Sequence, residues 1–274
     1  MLRKSLPRLT LSLTVCIPII ILSVIAAANP GNANILQPAP QGTRIKLAQH
    51  RRSLLKFKVP AIRPSGNLEP GAARGSCGTD NIQAVLPPKP MGMKETEIPI
   101  ELTLSDRPTF FISIPETSTN QAEFLLQDET GDKILLNKKL RLTNNKGIVN
   151  YTLEPEFTGL QIGQKYRWQF SLICDPTHGD RSGDIITRGW IERVTPSPEI
   201  IKQLQTDNPR DRVTIYANNG YWHDTLKILA DLRAANPNDS SVVSDWFELF
   251  RSVGLDKIAK QPISTLEVDS AEKP

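Results

Sequence analysis

Ten residues in the middle of the chain constrain its fold more than any others. In Lys165–Cys174 (KYRWQFSLIC), Tyr166, Trp168, Phe170 and Leu172 take every second position, with polar residues between them until Ile173. A period of two puts all four large side chains on one face of a strand. Such a face needs a second layer to cover it.

The flanking sequence supplies more strands. Glu101–Ser105 alternates apolar and polar residues. Thr109–Ile114 (TFFISI) is β-branched and aromatic and is closed by Pro115. Ala122–Gln127 is followed by the Gly-containing loop Asp128–Asp132 and then by Ile134–Leu142, a hairpin pattern. Gly147 opens Ile148–Leu153, and Ile185–Val194 carries Trp190 in a last strand. About seven short strands with turn signals every 8–12 residues indicate an antiparallel, immunoglobulin-like β-sandwich over residues 75–196. Leu160-x-x-Gly163-x-x-Tyr166-x-Trp168 resembles the strand entry of immunoglobulin-like and fibronectin-type domains, where an aromatic residue fills the space between sheets.

Residues 197–265 read as helical, giving an α+β chain. Ser197 with Pro198 and Glu199, and Asn208 with Pro209 and Asp211, have the form of helix starts. Asn218-Asn219-Gly220 is a helix stop. Tyr221–Asn236 places Trp222, Leu226 and Leu229 on one face, and Ser241–Val253 does the same with Val242, Trp246, Leu249 and Val253. Asp211–Asp239 resembles a single tetratricopeptide unit, with Tyr216 in the first helix, Gly220 in the turn and Trp222 opening the second. Its first helix starts differently, Thr225 replaces the usual Ala, and there is no second copy. Repeats support one another in stacks, so this hairpin must lean on something else. Residues 266–274 read as a disordered tail.

Charge divides the chain differently. The net charge is +4, yet residues 75–274 are acidic and the excess of positive charge lies before them. Residues 34–74 hold eight basic residues against Glu69 alone, and five of the 22 prolines. They read as a basic, Pro-rich, extended linker. Its cluster Arg51, Arg52, Lys56 and Lys58 reads as part of a solvated tether, the alternative being peripheral contact with an anionic surface such as a membrane or a polyanion. No nucleic-acid motif is present. The charge balance and apolar content exclude a wholly disordered chain, and no series of apolar 20-mers indicates a polytopic membrane protein.

Residues 1–33 have the form of a signal peptide: Arg3, Lys4 and Arg8, an uncharged run over Leu11–Ala28, then small residues. Cleavage after Ala33 is preferred over cleavage after Ala28, and an uncleaved anchor is the alternative. The expected location is periplasmic or extracellular. In an oxidising compartment the two remaining cysteines, Cys77 and Cys174, form a natural disulfide pair, with two buried thiols as the alternative.

The residues that could carry chemistry are few. Asp175, His178 and Asp180, with Asp184 nearby, place a His and three carboxylates on one loop, a weak candidate for a divalent cation. Asp, Gly and Pro are also what a turn requires. Trp222, His223 and Asp224 open a helix and form a candidate partner surface, with Asp224 favourably placed at the positive end of the helix dipole. The tryptophans are spaced as core anchors, an aromatic platform for a sugar or peptide being the alternative. No G-x-S-x-G stretch supplies a nucleophile, and no cofactor is indicated.

Several strings together resemble a cyanobacterial family defined as a domain of unknown function, number 928. They are Arg74-Gly75-Ser76-Cys77, Arg107-Pro108-Thr109-Phe110-Phe111, Glu123–Asp128, Tyr166-Arg167-Trp168 through Cys174-Asp175, Gly189-Trp190-Ile191-x-Arg193 and Tyr216-Ala217-x-x-Gly220-Tyr221-Trp222-x-Asp224-x-Leu226. Trp246 and Ser252–Leu255 continue them. The resemblance spans about residues 68–265 and implies an exported protein, β-rich then helical, without catalytic residues to carry over. The expected function is a non-enzymatic protein- or glycan-binding or scaffold protein. The alternative is a hydrolase of cell-wall or surface glycans, which needs two carboxylates across one cleft.

Overall fold

Strand and helix grammar produces a mixed α/β molecule with two sheets of mostly antiparallel strands and five helices. The computed structural model describes residues 54–60, 77–78, 82–94 and 97–269. The signal-peptide reading, Arg51, Arg52 and residues 270–274 lie outside them.

One sheet has four strands in the order β1 (Gln83–Ala84), β3 (Thr109–Ile114), β6 (Gly147–Thr152) and β9 (Ile263–Thr265). The other has six, in the order β10 (Glu267–Val268), β5 (Ile134–Arg141), β4 (Gln121–Gln127), β7 (Lys165–Leu172), β8 (Ile185–Arg193) and β2 (Ile100–Thr103). The period-two faces meet between the sheets. Phe124 lies opposite Phe170, and Leu126 opposite Trp168. Phe110 from β3 packs on Phe124 at 4.8 Å and on Trp168 at 5.2 Å between ring centroids.

Behind the four-stranded sheet lie α1 (Pro198–Gln203), α2 (Pro209–Asn218), α3 (Trp222–Ala235), α4 (Ser240–Ser252) and α5 (Asp256–Ala259). The expected caps are present: Ser197 accepts from the Ile200 N–H and Asn208 from the Arg210 N–H. Gly220, at φ 78°, stops α2 in a conformation that a side chain disfavours. The helices bury Trp222, Leu226, Trp246, Leu249 and Phe250 in a second core with Val85, Phe111 and Ile148.

The four-stranded sheet is therefore a shared middle layer. All six residues of β3 are buried because one face meets the other sheet and the opposite face meets the helices. No helix among the described residues is long and apolar enough to cross a membrane.

Four expectations need correcting. The sheets are not wholly antiparallel: β2 joins β8 and β9 joins β6 in parallel. Both joins link segments distant in sequence, so no tight hairpin dictates their direction. The tail expected from residue 266 begins as structure. Leu266 is buried, and β10 pairs with Leu140 and Arg141 of β5. Strands of two or three residues carry no readable period and are recruited by an existing edge.

The linker is also not free throughout. Leu55 and Phe57 are buried against the helices, while Lys56 and Lys58 are exposed. The Leu55 N–H donates to Glu248 Oε2, the Phe57 N–H to Ser252 Oγ and the Lys58 N–H to the Ala217 carbonyl, each at 3.0 Å. Finally, β2 inverts the usual alternation. Its polar residues Glu101 and Thr103 are buried, while Leu102 is only half-buried. Thr103 is drawn inward by a carboxylate on α3.

Candidate functional site

That carboxylate is Asp224. At the third position of α3 it faces the β2–β3 connection. Its Oδ2 accepts the Thr103 hydroxyl at 2.9 Å and the Leu104 N–H at 3.2 Å. Burial raises its pKa to about 6 against the opposing effect of these bonds. Tyr216 on α2 is pushed above its ordinary value by burial and by the Asp224 charge. Thr103, Tyr216, Asp224 and Lys227 line a cleft of about 360 Å³.

His223 sits beneath. It is 2% exposed, and its ring packs edge-on to Phe110 at 5.2 Å. Nδ1 lies 3.0 Å from the Thr109 carbonyl, which only accepts, so Nδ1 carries the proton. Nε2 has no hydrogen-bond partner among the described residues. Burial lowers the pKa to about 4, so the ring is neutral at ordinary pH. Glu101 is buried without a partner for either oxygen among the described residues, and burial raises its pKa to about 7.

A second, larger groove adjoins this cleft at Lys227. Its volume is about 540 Å³. The wall is α3 from Lys227 onward, where Lys227 pairs with Asp231 at 2.5 Å. The floor is the helix-facing side of β6 and β9, including Asn150, Thr152 and Thr265. Asn150 Nδ2 donates to the Ser264 carbonyl at 3.2 Å, and the Thr152 and Thr109 hydroxyls meet at 2.7 Å. The groove exists because α3 crosses the middle sheet and leaves its β6–β9 side uncovered.

The structure scatters the residues singled out by sequence. Trp222 is fully buried against Phe57 and Phe250, and its Nε1–H donates to the Val85 carbonyl at 2.7 Å. Trp222 and His223 thus present no partner surface, a correction that follows from their place on the apolar face of α3. Of the three, Asp224 and the buried His223 border the cleft, and Trp222 does not. Trp168, Trp190 and Trp246 are buried too, which removes the aromatic-platform alternative.

Asp175 and His178 do meet: Nδ1 is 2.9 Å from Asp175 Oδ1 in an exposed turn. Asp180 instead accepts the Ser182 N–H, and Asp184 accepts the Cys174 N–H. No group of three metal-ligating side chains occurs among the described residues. Cys77 and Cys174 are joined, with Cα atoms 5.0 Å apart.

Sequence reasoning missed Glu101, Lys227 and the groove. Glu101 lies in an alternating strand whose polar positions would ordinarily face water. The groove is a product of how α3 crosses the sheet, which no local pattern reports.

Fold and clefts together define a β-rich domain with two hydrophobic cores and a polar groove beside one helix. The family described as Domain of Unknown Function (DUF928) matches residues 69–263, and the chain belongs to it. A search of curated proteins gives no match.

Proposed function

We propose that this chain is an exported, non-enzymatic scaffold protein that holds an extended segment of a partner protein in the groove between α3 and the middle sheet. The observation that carries this reading is the groove itself, about 540 Å³ and floored by hydroxyl and amide side chains of β6 and β9. Such a floor can meet the alternating polar groups of an extended backbone. In this reading the two packed sheets are an immunoglobulin-like sandwich, and α2 with α3 is a tetratricopeptide-like hairpin leaning on it.

A glycan hydrolase is supported less well. The carboxylate in the groove lining, Asp231, is paired with Lys227, and the one in the cleft lining, Asp224, is held by Thr103 and Leu104. A glycosidase sets two carboxylates across one cleft. A glycan ligand also finds no exposed tryptophan to stack on, since all four are buried.

The test is a photo-crosslinking residue in place of exposed Ala234, which lines the groove, in the full chain expressed in its source cells. A control carries the same residue at Ile201, exposed on α1. Mass spectrometry should map one partner peptide to position 234 and not to 201. Equal crosslinking at both positions, or none at 234, would reject the reading. Cell fractionation checks export, and a protein confined to the cytoplasm would contradict it.

A further inference from the structure

Arg233 differs from Arg210 and Arg251 on the neighbouring helices, which have acidic partners. Arg210 meets Asp245, and Arg251 meets Asp256 at 3.4 Å. The Arg233 guanidinium lies over the Trp246 ring, 4.8 Å from its centroid, and its side chain lines the groove. Its Nη1 is buried and has no hydrogen-bond partner among the described residues. The nearest acid along the helix, Asp231, is committed to Lys227. Burial alone lowers the Arg233 pKa, with no carboxylate acting in the opposite direction.

A guanidinium that is partly desolvated and has no carboxylate beside it costs free energy, which an anion pairing with its groove-facing side would offset. Stacking on Trp246 fixes the plane of the fork and so reduces the entropy lost when an anion arrives. Thr152 and Thr265 of the sheet line the same groove, and a hydroxyl in a groove with an arginine suits a planar carboxylate.

We propose that the segment held in the groove is anionic and that its carboxylate, on an acidic side chain or at a C-terminus, is received by Arg233. This rests on the peptide reading of the groove and adds the chemistry of what binds. Arg233 is then a specificity residue, and the neutral Asn and Thr floor serves the backbone on either side.

The experiment follows the Arg233 Nε–H resonance by NMR in the full chain during titration with small probes. These are acetyl-Val-Glu-Val-amide, acetyl-Val-Gln-Val with a free C-terminus, acetyl-Val-Gln-Val-amide and inorganic phosphate. At least one carboxylate peptide should bind tenfold or more tightly than the uncharged amide, and the pair shows whether side chain or C-terminus supplies the group. Arg233→Met, which still covers Trp246, should bring that affinity down to the level of the uncharged peptide. The Trp246 indole N–H, bonded to the Ala259 carbonyl at 3.0 Å, reports that the variant is folded. Arg233→Lys keeps the charge without the fork and should bind several-fold more weakly than wild type.

Equal binding of charged and uncharged peptides, a response to phosphate alone, or full affinity in either variant would overturn the proposal. A crosslinked partner at position 234 with no acidic group at Arg233 would overturn it while leaving the groove reading intact.

Discussion

Glu101 and His223 are buried polar groups with opposite effects on stability. Glu101 ionises near 4.5 when exposed and near 7 in the fold. Between those values the folded state binds the extra proton, so this contribution is complete below about 4.5 and is lost as pH rises through 7. A difference of that size corresponds to about 3 kcal/mol. Glu101→Gln should therefore lack the fall, and its denaturation midpoint at pH 8 should exceed that of wild type while the two nearly coincide at pH 5. An unchanged pH profile would mean that Glu101 is ionised and partnered.

His223 runs the other way. Its folded pKa of about 4 lies below the exposed value of 6.5, so stability is lost as pH falls through that window. An NMR titration should find its ring neutral, with Nδ1 protonated, down to about pH 4. Asp224, raised to about 6, adds to the Glu101 slope from pH 3.8 upward. Gly189 shows a purely steric demand: a Cβ there would lie 2.7 Å from the Trp168 indole. Gly189→Ala should cost about 1–3 kcal/mol in chemical denaturation, the range for overpacking a core.

At the level of elements, the segment Leu55–Val59 behaves as part of the helical layer although it reads as linker. Phe57 meets Trp222 edge-to-face at 4.9 Å between centroids. Phe57→Ala should cost about 3 kcal/mol, whereas Lys56→Ala should stay within about 0.5 kcal/mol, both measured by urea unfolding. Equal effects would show that the segment does not dock.

The same contrast explains what was legible. Long strands such as Lys165–Leu172, and helices with capping residues such as Ser197 and Asn208, show their nature locally, because period and caps are local properties. The Leu55–Val59 strap, the paired strands β9 and β10, and the inward turn of Glu101 and Thr103 depend on partners far along the chain, so no local signal marks them. Of the candidate site, His223 and Asp224 stand out in the sequence. Lys227 and Arg233 look like ordinary surface cations on an amphipathic helix until the uncovered side of the middle sheet is seen beneath them.

For the molecule as a whole, the disulfide ties the entry of the chain to the end of β7, across a separation of 97 residues. Closing a loop of that length contributes up to about 4–5 kcal/mol by chain entropy. Reduction should lower the urea midpoint without abolishing the two cores, a comparison made on one sample with and without reductant. An identical midpoint would mean that the reduced chain is held equally well by packing.

The middle sheet has a kinetic consequence. It takes β3 and β6 from the first half of the fold and is completed by β9, the next-to-last strand, while the strap at Leu55 waits for its partner Glu248, 193 residues later in sequence. Most of the defining contacts thus join distant parts of the chain, the condition under which folding is slow. The core between the sheets draws all its buried residues except Leu266 from Cys77–Ile191, whereas the core under the helices needs residues from Leu55 to Ala259, so the helical layer closes only after a far longer stretch of chain is in place.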